Sequence, residues 1–88
     1  MIKKVIPIVN ELGIHARPAG MIANTSSRFA CDIKLVKAGM EVNAKSIMGI
    51  MTLAAGRGSI IEVTAKGKDE AAAVAAIVDL FNRKFDED

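Results

Sequence analysis

Tryptophan and tyrosine are absent, and only three phenylalanines occur among the 88 residues. A nucleic-acid surface built on stacking aromatics is therefore not indicated, and the formal charge of +2 comes from interspersed Lys, Arg, Asp and Glu rather than from a basic block. A single cysteine, Cys31, cannot close an internal disulfide, which fits a reducing compartment; it reads as a small buried hydrophobe with no chemistry of its own. Long apolar runs are missing too. Met1-Ile2-Lys3-Lys4-Val5-Ile6-Pro7 is broken by Pro7 and followed by polar Asn10-Glu11, so neither a signal peptide nor a membrane span is expected, and the protein is placed in the cytoplasm. The chain also lacks a Gly-x-x-x-x-Gly-Lys-Ser/Thr phosphate loop, a metal-ligand cluster and a second base for hydrolysis, which argues against a self-contained enzyme.

What is present is aliphatic. Hydrophobic residues make up 51% of the chain, so the core must be built from Ile, Val, Leu, Ala and Met around the three Phe. A chain of this length is one domain over residues 1–88, burying a little more than about 60% of its extended surface.

Periodicity gives the elements. Lys4 to Val9 reads as a strand with Ile6 and Ile8 buried, and Pro7 points to a sheet edge because it cannot donate a ladder hydrogen bond. From Ala16 to about Arg28 the positions Ala19, Ile22, Ala23, Ser26 and Phe29 form an inward helical stripe. Asp32–Lys37 and Met40–Ala44 alternate around the turn Ala38-Gly39, predicting a hairpin. Ser46 is placed as the N-cap of a short helix over Ile47 to Leu53, closed by Gly56-Arg57-Gly58. Ser59 to Ala65 is a fourth strand with Ile61, Val63 and Ala65 inward. After Gly67-Lys68, Asp69 is expected to cap a final helix running to about Arg83 with Ala73, Ile77, Leu80 and Phe81 inward. Asp86-Glu87-Asp88 reads as a solvated acidic end. The order β-α-β-β-α-β-α predicts an α+β fold, an antiparallel sheet with helices covering one face.

The chemistry gathers in Asn10-Glu11-Leu12-Gly13-Ile14-His15-Ala16-Arg17-Pro18-Ala19, which holds the sole histidine. Gly13 permits a turn and Pro18 suits the first turn of a helix, so His15 falls at a helix entrance. Free backbone N–H groups and the positive end of the helix dipole collect there, a seat for an anion such as a phosphoryl group. A neutral imidazole nitrogen already carries the lone pair that attacks phosphorus, and Arg17 adds a guanidinium for the oxygens. Such a site should avoid a carboxylate able to activate water, and Glu11 is expected to be the only nearby acid, read as a solvated loop residue. On spacing alone, a capping or hydrogen-bonded structural histidine stays open.

Gly13-Ile14-His15-Ala16-Arg17-Pro18-Ala19 resembles the active-site signature of the HPr family, the histidine-containing phosphocarrier proteins of the bacterial phosphotransferase system. Lys45-Ser46-Ile47-Met48-Gly49-Ile50-Met51-Thr52-Leu53 resembles that family's regulatory serine segment, and the similarity runs over essentially the whole chain. The resemblance implies an HPr-like open-faced two-layer sandwich, a four-stranded antiparallel sheet in the order 1-4-2-3 under three helices. It implies that His15 accepts a phosphoryl group on Nδ1 from the phosphohistidine of enzyme I and passes it to an enzyme IIA protein. Ala16, Arg17 and Pro18 would then bind the phosphoryl group. Ser46 would be a substrate of HPr kinase/phosphorylase, and Gly20, Ile47, Met48 and Met51 would lie at the partner surface, the methionines adapting to several partners. No cofactor or metal is implied, and without a signal for oligomerisation a monomer is expected. Leu80 to Asp88 and Asn10 to Gly13 look more like the nitrogen-related carrier called NPr, and a non-transferring regulatory domain is a further alternative.

Overall fold

In the computed structural model, which describes residues 1–87, the alternating segments become strands and the stripes of period 3.6 become helices. The order is β1 (Ile2–Pro7), α1 (Ala16–Ser26), β2 (Asp32–Lys37), β3 (Met40–Asn43), α2 (Ile47–Met51), β4 (Ile60–Lys66) and α3 (Glu70–Asn82). The four strands form one antiparallel sheet in the order β1-β4-β2-β3. This is the α+β architecture expected, with β1 and its Pro7 at an edge.

Register explains the core. Ile6 lies opposite Ile61, and Leu35 opposite Val63, so alternate residues of three strands share one face. That face, with Ile33 and Ala65, is closed off from water by Ala19, Ile22 and Ala23 of α1 and by Ala73, Val74, Ile77, Leu80 and Phe81 of α3. Each Ile, Leu or Phe buried in this way contributes about 1.5–3 kcal/mol. The small residues on the inner helix faces let the helix backbones approach the sheet. Opposite them, Val5 and Ile60 stay exposed on the open face.

Element ends differ from the sequence reading in ways that matter at the site. Helix α1 stops at Ser26, where the N–H groups of Arg28 and Phe29 turn back to carbonyls only three residues earlier. Helix α2 stops at Met51, and its trailing turn is held by Lys37, whose Nζ donates to the carbonyls of Leu53 and Ala54 at 3.0 and 3.2 Å. Helix α3 ends at Asn82 rather than Arg83. Lys84, Phe85 and Asp86 then take φ of +54°, +55° and +60°, a left-handed turn that carries the chain back over the fold. The turn sends Phe85 into the core, fully buried, its ring edge-on to Phe81 with centroids 4.9 Å apart.

Asp69 stands at the start of α3, as expected, but its carboxylate does not cap that helix. It accepts instead from the N–H groups of Ala30 and Cys31 at 2.8 and 3.0 Å, where the chain leaving α1 has two backbone donors to satisfy. The hydrogen bond from Ala30 outweighs partial burial and, with those from Cys31, holds the Asp69 carboxyl below its usual range. Cys31 is buried as expected, and burial, reinforced by Asp69, pushes its thiol up.

Candidate functional site

The turn before α1 is set by packing on the segment after α2. Gly13 has φ of +69°, and a Cβ there would stand 2.5 Å from the Ala55 carbonyl oxygen, so only glycine fits. The adjacent Ile14 N–H donates to the same oxygen at 2.8 Å, and the Ile14 side chain is buried. His15 is therefore delivered in extended conformation as the N-cap residue of α1, its own carbonyl accepting from Ala19 at 2.9 Å. Its side chain caps nothing and is 37% exposed. In the first turn, Ala16 and Arg17 present N–H groups with no intrahelical partner, while Pro18, buried, has none to satisfy.

The acidic end does not project into solvent. Glu87 folds onto the site: its Oε2 lies 2.7 Å from His15 Nε2 and 3.5 Å from Arg17 Nη1. Its Oε1 accepts from Asn10 Nδ2 at 3.1 Å, and the same amide nitrogen donates to the Gly13 carbonyl at 2.7 Å. Arg17 Nη1 also donates to the Phe85 carbonyl at 2.8 Å. Two expectations are corrected here. Glu11 is not the acid nearest the histidine in space, and Glu87 is not a solvated tail residue, because buried Phe85 and the left-handed turn bring the chain end back. Asp88 lies outside the described residues. Burial on its own would raise the Glu87 carboxyl, but the hydrogen bonds from Asn10 and His15, with the charges of His15 and Arg17, outweigh it and hold the group below the usual carboxylate range.

Asn10 is 1% exposed and links the loop to the chain end, yet sequence reasoning passed over it and over Glu87. One signal was available. Phe85 follows Phe81 at helical spacing, so the inward stripe of α3 continues past the point where the helix was expected to end.

The second motif lies on α2, which packs against α1. Ser46 is its N-cap, Oγ accepting from the Gly49 N–H at 3.0 Å, while Lys45 Nζ donates to the Phe29 carbonyl at 2.7 Å. Among the described residues Ser46 shares no hydrogen bond with the His15 cluster. Ile50 and Leu53 are buried, whereas Ile47, Met48 and Met51 are exposed, Met48 at 75%, and Leu12 of the loop before His15 is exposed at 72%. Gly20 opens onto empty space, with no heavy atom within 4 Å of a Cβ built there.

A sequence model of the family described as "PTS HPr component phosphorylation site" matches residues 2–83. The chain belongs to the HPr family. It is 49% identical over 88 residues to the phosphocarrier protein HPr of Treponema pallidum, all of both chains being covered. An HPr structure from Thermoanaerobacter tengcongensis, 44% identical, superposes with a TM-score of 0.96 over 100% of this chain and 99% of that one. A structure of an HPr dimer from the same organism, 45% identical, superposes with a TM-score of 0.80 over 99% and 100% of the two chains. As a member of the HPr family, the chain carries that family's sheet order and a phosphocarrier identity tied to the phosphotransferase system. Among the described residues no helix is long and apolar enough to cross a membrane.

Proposed function

We propose that this chain is a cytoplasmic phosphoryl carrier rather than a free-standing enzyme, taking the group on His15 from enzyme I and giving it to an enzyme IIA protein. The observation that carries the reading is the placement of the His15 imidazole at the N-terminus of an 11-residue helix, with Glu87 hydrogen-bonded to the ring and ion-paired to Arg17. A phosphoryl group on the ring meets the N–H groups of Ala16 and Arg17, the positive end of α1, and the guanidinium. Pro18 shapes that first turn without presenting a competing donor. Phosphorus moves from one imidazole to another: the His15 lone pair forms the new P–N bond as the donor's P–N bond breaks, its electron pair returning to the donor ring. The residues 1–88 act as one folding unit, and a monomer suffices because a single chain supplies every group of the site.

Exposed Leu12, Ile47, Met48 and Met51, and the open flank at Gly20, are apolar positions available for partner docking. Ser46 is a candidate for modification by HPr kinase/phosphorylase. A phosphate there sits at the start of α2, where it is compatible with the fold, and its charge repels an acidic partner. Features shared with the nitrogen-related carrier NPr make the branch a matter of which enzyme I loads the chain.

Purified protein incubated with phosphoenolpyruvate and enzyme I of the sugar or nitrogen type should gain one acid-labile phosphoryl group by intact mass. His15→Ala should gain none, and Arg17→Ala should load on the order of 100-fold more slowly while staying folded. No uptake by the wild type from either enzyme I contradicts the carrier reading and favours the non-transferring regulatory domain.

A further inference from the structure

The segment between α2 and β4 belongs to neither element, yet the loop that carries His15 is built on it. Residues 54–56 lie in no helix or strand, and Ala54 has a φ of +48°, a left-handed conformation that a residue with a Cβ keeps only where its surroundings hold it. What holds it comes from the sheet. The inward positions of β2 are Ile33, Leu35 and then Lys37, so a lysine stands where alternation calls for an apolar side chain.

Half-buried Lys37 places Nζ 3.0 Å from the Leu53 carbonyl oxygen and 3.2 Å from that of Ala54. Among the described residues its ammonium pairs with no carboxylate, and neither carbonyl has a backbone donor. The next carbonyl, of Ala55, accepts from the Ile14 N–H at 2.8 Å and stands against Gly13. Of three successive carbonyls, two are thus taken by Lys37 and the third by the residue before His15.

We propose that Lys37 is a positioning residue for phosphoryl transfer: by fixing the Leu53 and Ala54 carbonyls it fixes that of Ala55, and through Ile14 and Gly13 the point at which His15 enters α1. This role rests on the carrier reading. Among the described residues Lys37 shares no hydrogen bond with His15 or Arg17, so it acts through the backbone. An ammonium suits the task because one nitrogen carries several donors and its charge strengthens each bond to a carbonyl. Methionine at this position keeps an unbranched apolar stem but holds neither carbonyl. The helix that carries Met48 and Met51 precedes the clamp and keeps its own Ser46 cap, so docking should survive while the alignment of His15 on a docked donor suffers.

The test compares full-length wild type, Lys37→Met and Lys37→Arg, each at a temperature where thermal melts show it folded. Amide hydrogen exchange is read at Ile14 relative to Val63 in the central strand, and kcat and KM are measured for loading by phosphoenolpyruvate and enzyme I with the chain as the varied substrate. In Lys37→Met the Ile14 amide should exchange several-fold faster relative to Val63, and kcat should fall roughly tenfold with KM changed by less than about twofold. Lys37→Arg, which keeps the charge and the donors, should recover part of both. A contact that only stabilises the fold lowers the melting temperature and leaves loading of the folded protein unchanged, which overturns the proposal. A lowered kcat with Ile14 exchange unaltered overturns it too, as does a change confined to KM. Failure of the wild type to load overturns the carrier reading, and this role with it, while equal loading of wild type and Lys37→Met overturns this role alone.

Discussion

Single residues set the direction in which the histidine leaves the loop. Gly13 and Gly20 differ in what surrounds them: a Cβ at Gly13 meets the Ala55 oxygen at 2.5 Å with φ already at +69°, whereas one at Gly20 meets nothing within 4 Å. Gly13→Ala should therefore destabilise by about 2 kcal/mol or more, through strain and collision with backbone that cannot move without opening the turn. Gly20→Ala should stabilise by roughly 0.5–1 kcal/mol, because Gly in a helix interior costs that much relative to Ala. Urea unfolding of both variants checks the pair, and equal effects of like sign would contradict it. If Gly20 leaves room for a partner, the more stable variant should also load more slowly.

At the scale of elements, the segment after α3 is the part whose importance was hidden. Phe85→Ala should cost about 3 kcal/mol or more by leaving a cavity beside Phe81, and it should loosen the left-handed turn that brings Glu87 to His15. A melt together with the His15 ring shifts would show both losses, and a variant as stable as wild type would contradict the anchoring role. The strands and their inward faces, by contrast, were legible from alternation, because every inward position of β4 is apolar and a one-residue slip would expose all of them, whereas their order in the sheet came from the family resemblance. The stripe of α1 and the cap of α2 were legible for the same reason, each being a local pattern. Asp69 and Glu87 were misplaced because a carboxylate near a helix start or a chain end looks the same in sequence whether it caps locally or crosses to a distant backbone. Asn10 escaped for a related reason. Its two acceptors are a carbonyl three residues away and a carboxylate 77 residues away, and no local rule weighs the second.

Across the whole molecule, three carboxylates that tie distant segments together shape the response to acid. Asp69, Glu87 and Glu70, the last accepting from the Gly67 N–H and paired with the N-terminal ammonium, are all held below their usual range in the folded chain. A depressed folded-state value means the unfolded chain binds the proton first, so their stabilisation is complete above the ordinary carboxylate range near pH 4 and is lost as pH falls through the depressed values. Melting temperature should therefore drop on going from about pH 7 to about pH 3, and the gap between wild type and Asp69→Asn should narrow over that interval. A gap independent of pH would show that Asp69 acts through shape rather than charge. The most direct test of the carrier role follows the group itself. Protein loaded with one labelled phosphoryl group and freed of enzyme I should, on addition of an enzyme IIA protein, lose that label in step with its appearance on the acceptor. Label retained on the chain, or released as inorganic phosphate without reaching the acceptor, would contradict a carrier at His15.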